Sequence, residues 1–239
     1  MKLLLLNGNT DPGITDRMAQ AARRMCAHEI IPLTARFGAR YIASRASSAI
    51  AAHAVLDALA REVGRDNPQG HDAVIIGCFG DPGLEAAREC FPLPIIGMAD
   101  SAILAALKVA PRVSVLTGGA AWVPMLEEFF LLRGLGRERV RVAAIPPTGD
   151  MIAREPERAA GLLAEVARGE IARGAGVILL GGAGLVGLDA MVAPLITVPV
   201  LDGLRCAIEA AEDAPAARPL GSIAPSVGLP DAMAANLAG

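Results

Sequence analysis

Short apolar runs alternate with amphipathic segments along nearly the whole chain. The apolar runs are typical of strands that are covered on both faces, and the segments between them place apolar residues at helical spacing. The predicted strands are 2–6, 29–33, 74–76, 95–96, 112–116, 140–145, 177–180 and 198–201. The predicted helices are 12–27, 49–63, 82–90, 100–109, 120–132, 155–173, 187–192 and 203–211. This alternation predicts an α/β fold with parallel sheets and right-handed crossovers.

The third apolar run ends at a cysteine between two glycines. Asp81 and Pro82 follow, and they predict an N-cap and a proline at the first helical position, so that a helix N-terminus should lie beside Cys78. Backbone N–H groups and the helix dipole favour an anion there, either a thiolate or a bound carboxylate or imide oxygen. Free cysteines are also often small buried hydrophobic residues, so the residues alone leave both interpretations open.

The pattern around Cys78 recurs once, with Gly182 in the place of the cysteine. The similarity extends to the strand before each turn and to the strand and helix after it. We therefore predict two pseudo-symmetric lobes, each a parallel sheet flanked by helices, with an active-site cleft between them. The predicted boundaries are 1–110 for the N-terminal lobe, whose sheet a C-terminal segment could complete, 111–212 for the second lobe and 213–239 for a Pro/Ala-rich tail. The tail has no clear periodicity, and we expect it to be loosely packed or to contact another subunit.

Composition excludes several classes of protein. Apolar residues make up 53% of the 239 residues, but no uninterrupted run approaches the roughly 18 that a membrane span needs. The apolar segment after Lys2 is too short for a signal peptide, so we expect a cytoplasmic protein. A net charge of −3 with one Trp, one Tyr and five Phe offers neither a basic surface nor stacking platforms for nucleic acid.

The cysteines and histidines form no metal-binding or disulfide pattern. Neither residue type shows the spacing of a zinc site, and the cysteines lack a C-x-x-C pair. We expect no metal, and solvated or core roles for the histidines. These residues are Cys26, Cys78, Cys90, Cys206, His28, His53 and His71.

The carboxyl ends of the predicted strands gather most of the candidate binding groups. Open α/β sheets bind ligands at this edge, where Asn7, Cys78, Thr117, Thr148 and residues 181–184 are expected. The loop at 36–48 also carries three arginines that could pair with an anionic substrate, although a solvated charge is the commoner outcome. These are Arg36, Arg40 and Arg45.

The motifs at 6–10, 77–84, 180–184 and 199–203 resemble those of the aspartate/glutamate racemase superfamily, and within it the hydantoin and allantoin racemase branch. The resemblance covers nearly everything up to about Ala211. It implies a cofactor-independent enzyme that acts on a 5-substituted hydantoin, allantoin or amino-acid derivative. We also expect a homo-oligomer. In such enzymes one cysteine from each lobe faces the reacting carbon, and one thiolate removes the α-hydrogen while the opposed thiol returns a proton.

The resemblance also implies roles for individual residues. Cys78 is the acid/base, and backbone N–H groups of the two glycine turns hold the two ends of the substrate. For the side chains of Asn7 and Thr117 at the strand ends, two roles stay open, which are stabilising the turn and contacting substrate oxygens. The implied substrate-binding residues are Phe79, Gly80 and Asp81 in the first turn, Gly182, Ala183 and Gly184 in the second, and Asn7 and Thr117 at the strand ends.

Gly182 departs from the racemase pattern because glycine has no proton to give. Three interpretations remain open. The protein could be a racemase with an unidentified second donor, or a single-cysteine enzyme that protonates from one face, as arylmalonate decarboxylases do. It could also be a homologue that binds a small ligand without turnover, or carry a glycine introduced by design to trap a substrate.

Overall fold

A computed structural model describes residues 1–146, 152, 154–216, 228–229 and 231–237. The strands are β1 Lys2–Asn7, β2 Glu29–Thr34, β3 Ala73–Ile76, β4 Ile95–Gly97, β5 Val113–Gly118, β6 Val140–Ile145, β7 Val177–Leu180 and β8 Val200–Asp202. The helices are α1 Pro12–Met25, α2 Arg45–Glu62, α3 Leu84–Cys90, α4 Met98–Val109, α5 Trp122–Leu131, α6 Pro156–Ala172, α7 Asp189–Val192, α8 Gly203–Glu212 and α9 Asp231–Leu237. Two 3₁₀ turns occupy Ala183–Leu185 and Ala193–Leu195.

The eight strands form two parallel sheets with the same order of strands. The first sheet runs β2-β1-β3-β4 and the second runs β6-β5-β7-β8. Within each sheet every pair of neighbours is parallel, and helices connect the strands. The predicted α/β fold with two similar parallel sheets is confirmed.

Both sheets are built around central strands that are apolar on both faces. The leucines of β1 are at most 1% exposed, and every residue of β3 and β7 is buried. Helices cover these faces with one apolar side, as α1 does with Ile14, Met18 and Ala22. Each fully buried leucine or isoleucine contributes roughly 1.5–3 kcal/mol to folding, so the four-residue apolar runs suffice to fix the strands.

The chain divides into two compact units. The first unit contains Met1–Gly97 and Ile208–Gly239, and the second contains Met98–Ala207. This division assigns α4 to the second unit and the end of α8 to the first, unlike the predicted boundaries at 110 and 212. Whether those predicted segments are domains that fold alone stays a prediction.

Part of the predicted tail is helical. Helix α9 packs against α2, and Met233 is 8% exposed. Thr148 and the residues of the tail at 217–227 lie outside the described residues. In the described part of the chain, none of the helices has both the length and the apolar character needed to span a membrane.

Candidate active site

The strand order places a ligand-binding edge in each unit. The chain leaves β1 for β2 on one side and returns to β3 on the other, so the connections diverge at the carboxyl ends of β1 and β3, where open α/β sheets bind ligands. Asn7 ends β1, and Cys78 follows β3 by two residues. In the second unit Thr117 lies near the end of β5, and Gly182 follows β7 by two residues.

The strand registers of the two sheets show which strand-end residues correspond between the two units. Leu6 is paired with Ile76 in the first sheet, and Leu116 is paired with Leu180 in the second. The next backbone hydrogen bonds also correspond, since the Gly77 N–H donates to Leu6 O at 2.8 Å and the Gly181 N–H donates to Leu116 O at 2.8 Å. Counting onward from these pairs, Asn7 corresponds to Thr117 and Cys78 corresponds to Gly182.

Cys78 is nearly enclosed, with 8% of its surface exposed. Burial first, and the negative charge of Asp81 second, raise the pKa of the Cys78 thiol from an ordinary 9.0 to about 12. Both causes disfavour the thiolate, because an anion loses hydration in the interior and is repelled by a carboxylate. Cys78 in the free protein is therefore a thiol near neutral pH, and it can donate a proton.

The turn after Cys78 differs from the predicted N-cap. Helix α3 begins at Leu84 with Gly83 as its N-cap residue, and no side chain caps it. Asp81 instead has a left-handed φ of +47°, and its N–H donates to Cys78 O at 3.0 Å. The predicted helix start at 82 and the capping role of Asp81 are wrong, because the chain makes an extra turn before the helix. The N–H of Asp81 is thus used within the turn, contrary to its predicted role as a substrate donor.

Phe79 and Gly80 form the middle of the same turn. Phe79 is 3% exposed, and Gly80 is partly exposed with a φ of +122°. Their backbone N–H groups remain the predicted donors to a substrate oxygen on this side.

The side chain of Asn7 is bonded within its own turn. It is fully buried, its Nδ2 donates to Asn9 Oδ1 at 2.8 Å and Thr15 Oγ1 at 2.9 Å, and its Oδ1 accepts from the Asn9 N–H at 3.1 Å. These bonds correspond to the turn-stabilising role that the sequence left open for Asn7. Nδ2 uses both of its hydrogens within the turn, so donation from Nδ2 to a substrate would require one of those bonds to break.

Asp11 is the N-cap of α1, and it holds one of the candidate arginines. Its Oδ1 accepts from the Gly13 N–H at 2.9 Å, and its Oδ2 accepts from Arg40 Nε at 3.0 Å. The hydrogen bond from Arg40 is the main cause that lowers the pKa of Asp11. Arg40 therefore has an anionic partner inside the chain, and Arg45 is the first residue of α2.

Thr117 and Gly182 lie together in the second unit. Among the described residues, Thr117 Oγ1 is the nearest atom to a Cβ built on Gly182, at 3.9 Å. The φ of Gly182 is +147°, a conformation that residues with a side chain rarely adopt. The space would accept a side chain here, but the backbone has the geometry of glycine. Ala183 and Gly184 follow in the 3₁₀ turn, whose Leu185 N–H donates to Gly182 O at 2.9 Å.

Asp202 is a residue that the sequence alone did not identify as part of the site. Its buried carboxylate lies beside the glycine turn at 182–187. It is 1% exposed, and its Oδ2 accepts from the Gly187 N–H at 2.7 Å. The sequence offered one signal for Asp202, which is an aspartate before a glycine at the end of an apolar strand, within the motif at 199–203. Such a residue is common as a plain helix cap, so the sequence did not indicate its contact with the glycine turn.

Comparison with known proteins shows the family. The family model for Asp/Glu/Hydantoin racemase matches residues 3–211. A hydantoin racemase from Rhizobium meliloti is 37% identical over 154 residues, and that match spans 63% of this chain and 63% of the relative, which is less than two thirds of its length.

Solved structures agree with this result. The crystal structure of an allantoin racemase from Pseudomonas fluorescens superposes with a TM-score of 0.81 at 32% identity, covering 89% of this chain and 90% of that one. A liganded double mutant of arylmalonate decarboxylase has a TM-score of 0.66 at 18% identity over 91% of this chain and 95% of that one, a likeness of fold alone. This chain belongs to the Asp/Glu/Hydantoin racemase family.

Proposed function

We propose that this protein is an isomerase that inverts the carbon next to a carbonyl group in a 5-substituted hydantoin, in allantoin or in a related amino-acid derivative, without a cofactor. The observation that carries the proposal is the position of Cys78, two residues beyond β3 at the ligand-binding edge of a chain that matches the racemase family. The named relatives are a hydantoin racemase and an allantoin racemase, which supports this substrate class.

The chemistry requires a proton to leave the α-carbon on one face and another to arrive on the opposite face. The electron pair of the broken C–H bond moves onto the carbonyl oxygen, and backbone N–H groups such as those of Phe79 and Gly80 stabilise the resulting enolate. Cys78, a thiol in the free protein, gives its proton to the α-carbon and becomes a thiolate. In the opposite direction this thiolate removes the α-proton.

The other face needs a group that can take and return a proton, and Gly182 has none. We assign that transfer to a solvent molecule. Solvent accepts the α-proton when Cys78 donates, and a proton from solvent then restores the Cys78 thiol. In the opposite direction Cys78 loses its proton to solvent first, removes the α-proton as a thiolate, and solvent supplies the proton to the other face. A solvent-borne proton is a less well-positioned acid than a thiol, so we expect slower turnover than a two-cysteine site gives.

Optical rotation tests this proposal directly. Single enantiomers of 5-substituted hydantoins and of allantoin should lose rotation in the presence of the protein, and Cys78→Ser should abolish the loss. Cys90→Ser is the matched control, because Cys90 is another buried free cysteine. Unchanged rotation with every substrate would contradict the proposal.

A second candidate is a one-sided decarboxylase, and the combination of a protonated Cys78 with Gly182 favours it. Loss of carbon dioxide from an arylmalonate leaves the bonding electron pair on an enediolate, which needs a proton from one face only. The Cys78 thiol would supply it, and solvent would then reprotonate the thiolate. Release of carbon dioxide with a single product enantiomer would select this candidate over racemisation. A shift in melting temperature with hydantoin, without turnover in either assay, would instead indicate a ligand-binding homologue.

The proposal includes the expected setting of the enzyme. We propose a cytoplasmic homo-oligomer with a small-molecule substrate and no nucleic-acid or membrane partner. The net charge of −3 and the low aromatic content support the absence of a nucleic-acid partner. Sedimentation of the purified protein would measure the oligomeric state.

A further inference from the structure

We propose that Asp202 is a positioning residue that fixes the turn carrying Ala183 and Gly184 for binding one end of the substrate. This inference rests on the proposed function for the role of those two residues. The anchoring itself is a separate physical claim that can be measured without turnover.

Asp202 lies where it can reach both the glycine turn and the following helix. It is the last residue of β8, and its register partner is Leu180, the last residue of β7. The turn that begins at Gly182 leaves β7 two residues later. Asp202 therefore lies at the end of the sheet from which this turn leaves.

A single carboxylate joins two segments through three backbone hydrogen bonds. Asp202 Oδ1 accepts from the Leu204 N–H at 2.8 Å and the Arg205 N–H at 3.1 Å, which caps α8. Its Oδ2 accepts from the Gly187 N–H at 2.7 Å. Hydrogen bonds to a charged acceptor are about twice as strong as neutral ones, so Oδ2 is a firm anchor for the far end of the turn.

The turn needs an anchor at that end. Gly182 and Gly187 have φ values of +147° and +84°, so a conformation that favours glycine occurs at both ends of the segment. The Leu185 N–H bonds to Gly182 O and the Leu188 N–H bonds to Leu185 O, at 2.9 and 3.1 Å. These bonds are local, whereas the bond from Gly187 to Asp202 ties the turn to the sheet.

The first unit places a carboxylate at the corresponding position. Gly97 is paired with Ile76 as Asp202 is paired with Leu180. A Cβ on Gly97 would overlap the carboxylate of Asp81, which comes from the turn that carries Cys78. In both units a buried carboxylate therefore lies between the end of the fourth strand and the turn after the third strand, although it comes from the turn in the first unit and from the strand in the second.

The anchor and the helix cap can be separated by substitution. Asp202→Ser retains a side chain that caps α8, because serine is a favourable N-cap residue, but its hydroxyl is too short to reach Gly187 as well. Asp202→Asn retains Oδ1 and presents an amide group to the Gly187 N–H, where two donors oppose each other. Asp189→Asn is the matched control, because it removes a nearby carboxylate whose Oδ2 lies 3.9 Å from Arg205 Nε, a residue outside the turn.

Hydrogen exchange in the free proteins tests the anchoring. Amides of residues 183–188 should exchange at least about tenfold faster in Asp202→Ser and Asp202→Asn than in the wild type, as expected for loss of a charge-assisted bond. The control should match the wild type. Unchanged exchange at this segment in both Asp202 variants would overturn the proposal, whether or not the protein proves to be a racemase.

Kinetics of the racemisation test the role in binding. Asp202→Ser should raise KM about tenfold and leave kcat within about threefold, because the turn holds the substrate equally in the ground and transition states. A merely structural role would reduce the folded fraction, which lowers kcat and leaves KM unchanged, and that pattern would overturn the proposal. If the wild type itself shows no turnover, the proposed function fails, and the exchange result alone decides the anchoring.

Discussion

At the scale of single residues, the sequence predicted where the candidate acid/base lies but not its protonation. Cys78 follows β3 as the apolar run indicated. The structure does not show the expected stabilisation of a thiolate by a helix N-terminus. Helix α3 begins only at Leu84, and burial first and the Asp81 carboxylate second raise the pKa of the Cys78 thiol. The residue types after Cys78 do not reveal the extra turn before α3. This turn involves contacts with elements that are distant in sequence, since a Cβ on Gly83 would lie 3.0 Å from Ala52 O in α2.

The raised pKa predicts an unusual pH dependence for alkylation of Cys78. A pKa of about 12 in place of 9.0 leaves roughly one-thousandth as much thiolate at pH 8. Iodoacetamide labelling of Cys78 should therefore rise about tenfold per pH unit from pH 7 to pH 10 without a plateau. Asp81→Asn should increase the rate at each pH, because it removes the repelling charge. Peptide mass spectrometry resolves Cys78 from the partly exposed Cys26, which is the internal control.

A labelling plateau at Cys78 below pH 9 would contradict this prediction. The same pKa has a consequence for stability, because the unfolded chain loses its thiol proton near pH 9.0 and the folded chain near 12. The contribution of Cys78 to stability is full below pH 9, and it is lost as pH rises towards 12.

At the scale of elements, the sequence predicted the strands more accurately than it predicted the ends of the helices. The strands are short and buried on both faces, so composition alone identifies them. Helix α2 begins earlier than predicted, at Arg45, because Ser44 and Ser47 form a capping box. The predicted helix at 187–192 is α7 Asp189–Val192, two residues shorter at its start, and the 3₁₀ turn Ala183–Leu185 before it was not predicted. The Gly187 N–H in this segment donates to Asp202 Oδ2 at 2.7 Å, and Asp202 is distant in sequence, so local propensity does not reveal this contact.

Two glycine-to-alanine changes should have opposite effects on stability. Gly161 lies exposed inside α6, and a Cβ there meets no described atom within 4 Å, so Gly161→Ala should raise the free energy of unfolding by about 0.5–1 kcal/mol. Gly182→Ala should lower it by about 1–2 kcal/mol, because the φ of +147° suits only glycine well.

Urea unfolding of the two variants measures both effects. A higher free energy of unfolding for Gly182→Ala would contradict this prediction, because it would show that the backbone at position 182 accepts alanine without strain. The same strain applies to Gly182→Cys, so restoring a second thiol by this change requires the turn to move, even though space for the side chain exists.

At the scale of the whole molecule, the internal repeat was readable because it is preserved in both motif and order. Two sheets with equivalent strand orders and equivalent registers confirm the predicted pair of similar halves. The boundaries were harder to predict, because the chain returns at Ile208 to complete the first unit, and helix α9 packs on α2. The short sequence of α9 has little periodicity, so the sequence alone does not distinguish this helix from a loop. The packing of α9 against α2 became visible only in the structure.

The most direct test of the central claim is transfer of solvent deuterium to the α-carbon of a single hydantoin enantiomer, followed by proton NMR in deuterium oxide. The wild type should exchange the α-hydrogen with inversion. Cys78→Ser should lower that rate by at least about a hundredfold, as expected for loss of a general acid/base, and Cys90→Ser should remain within about threefold of the wild type. Undiminished exchange in Cys78→Ser, with the variant folded, would contradict the account.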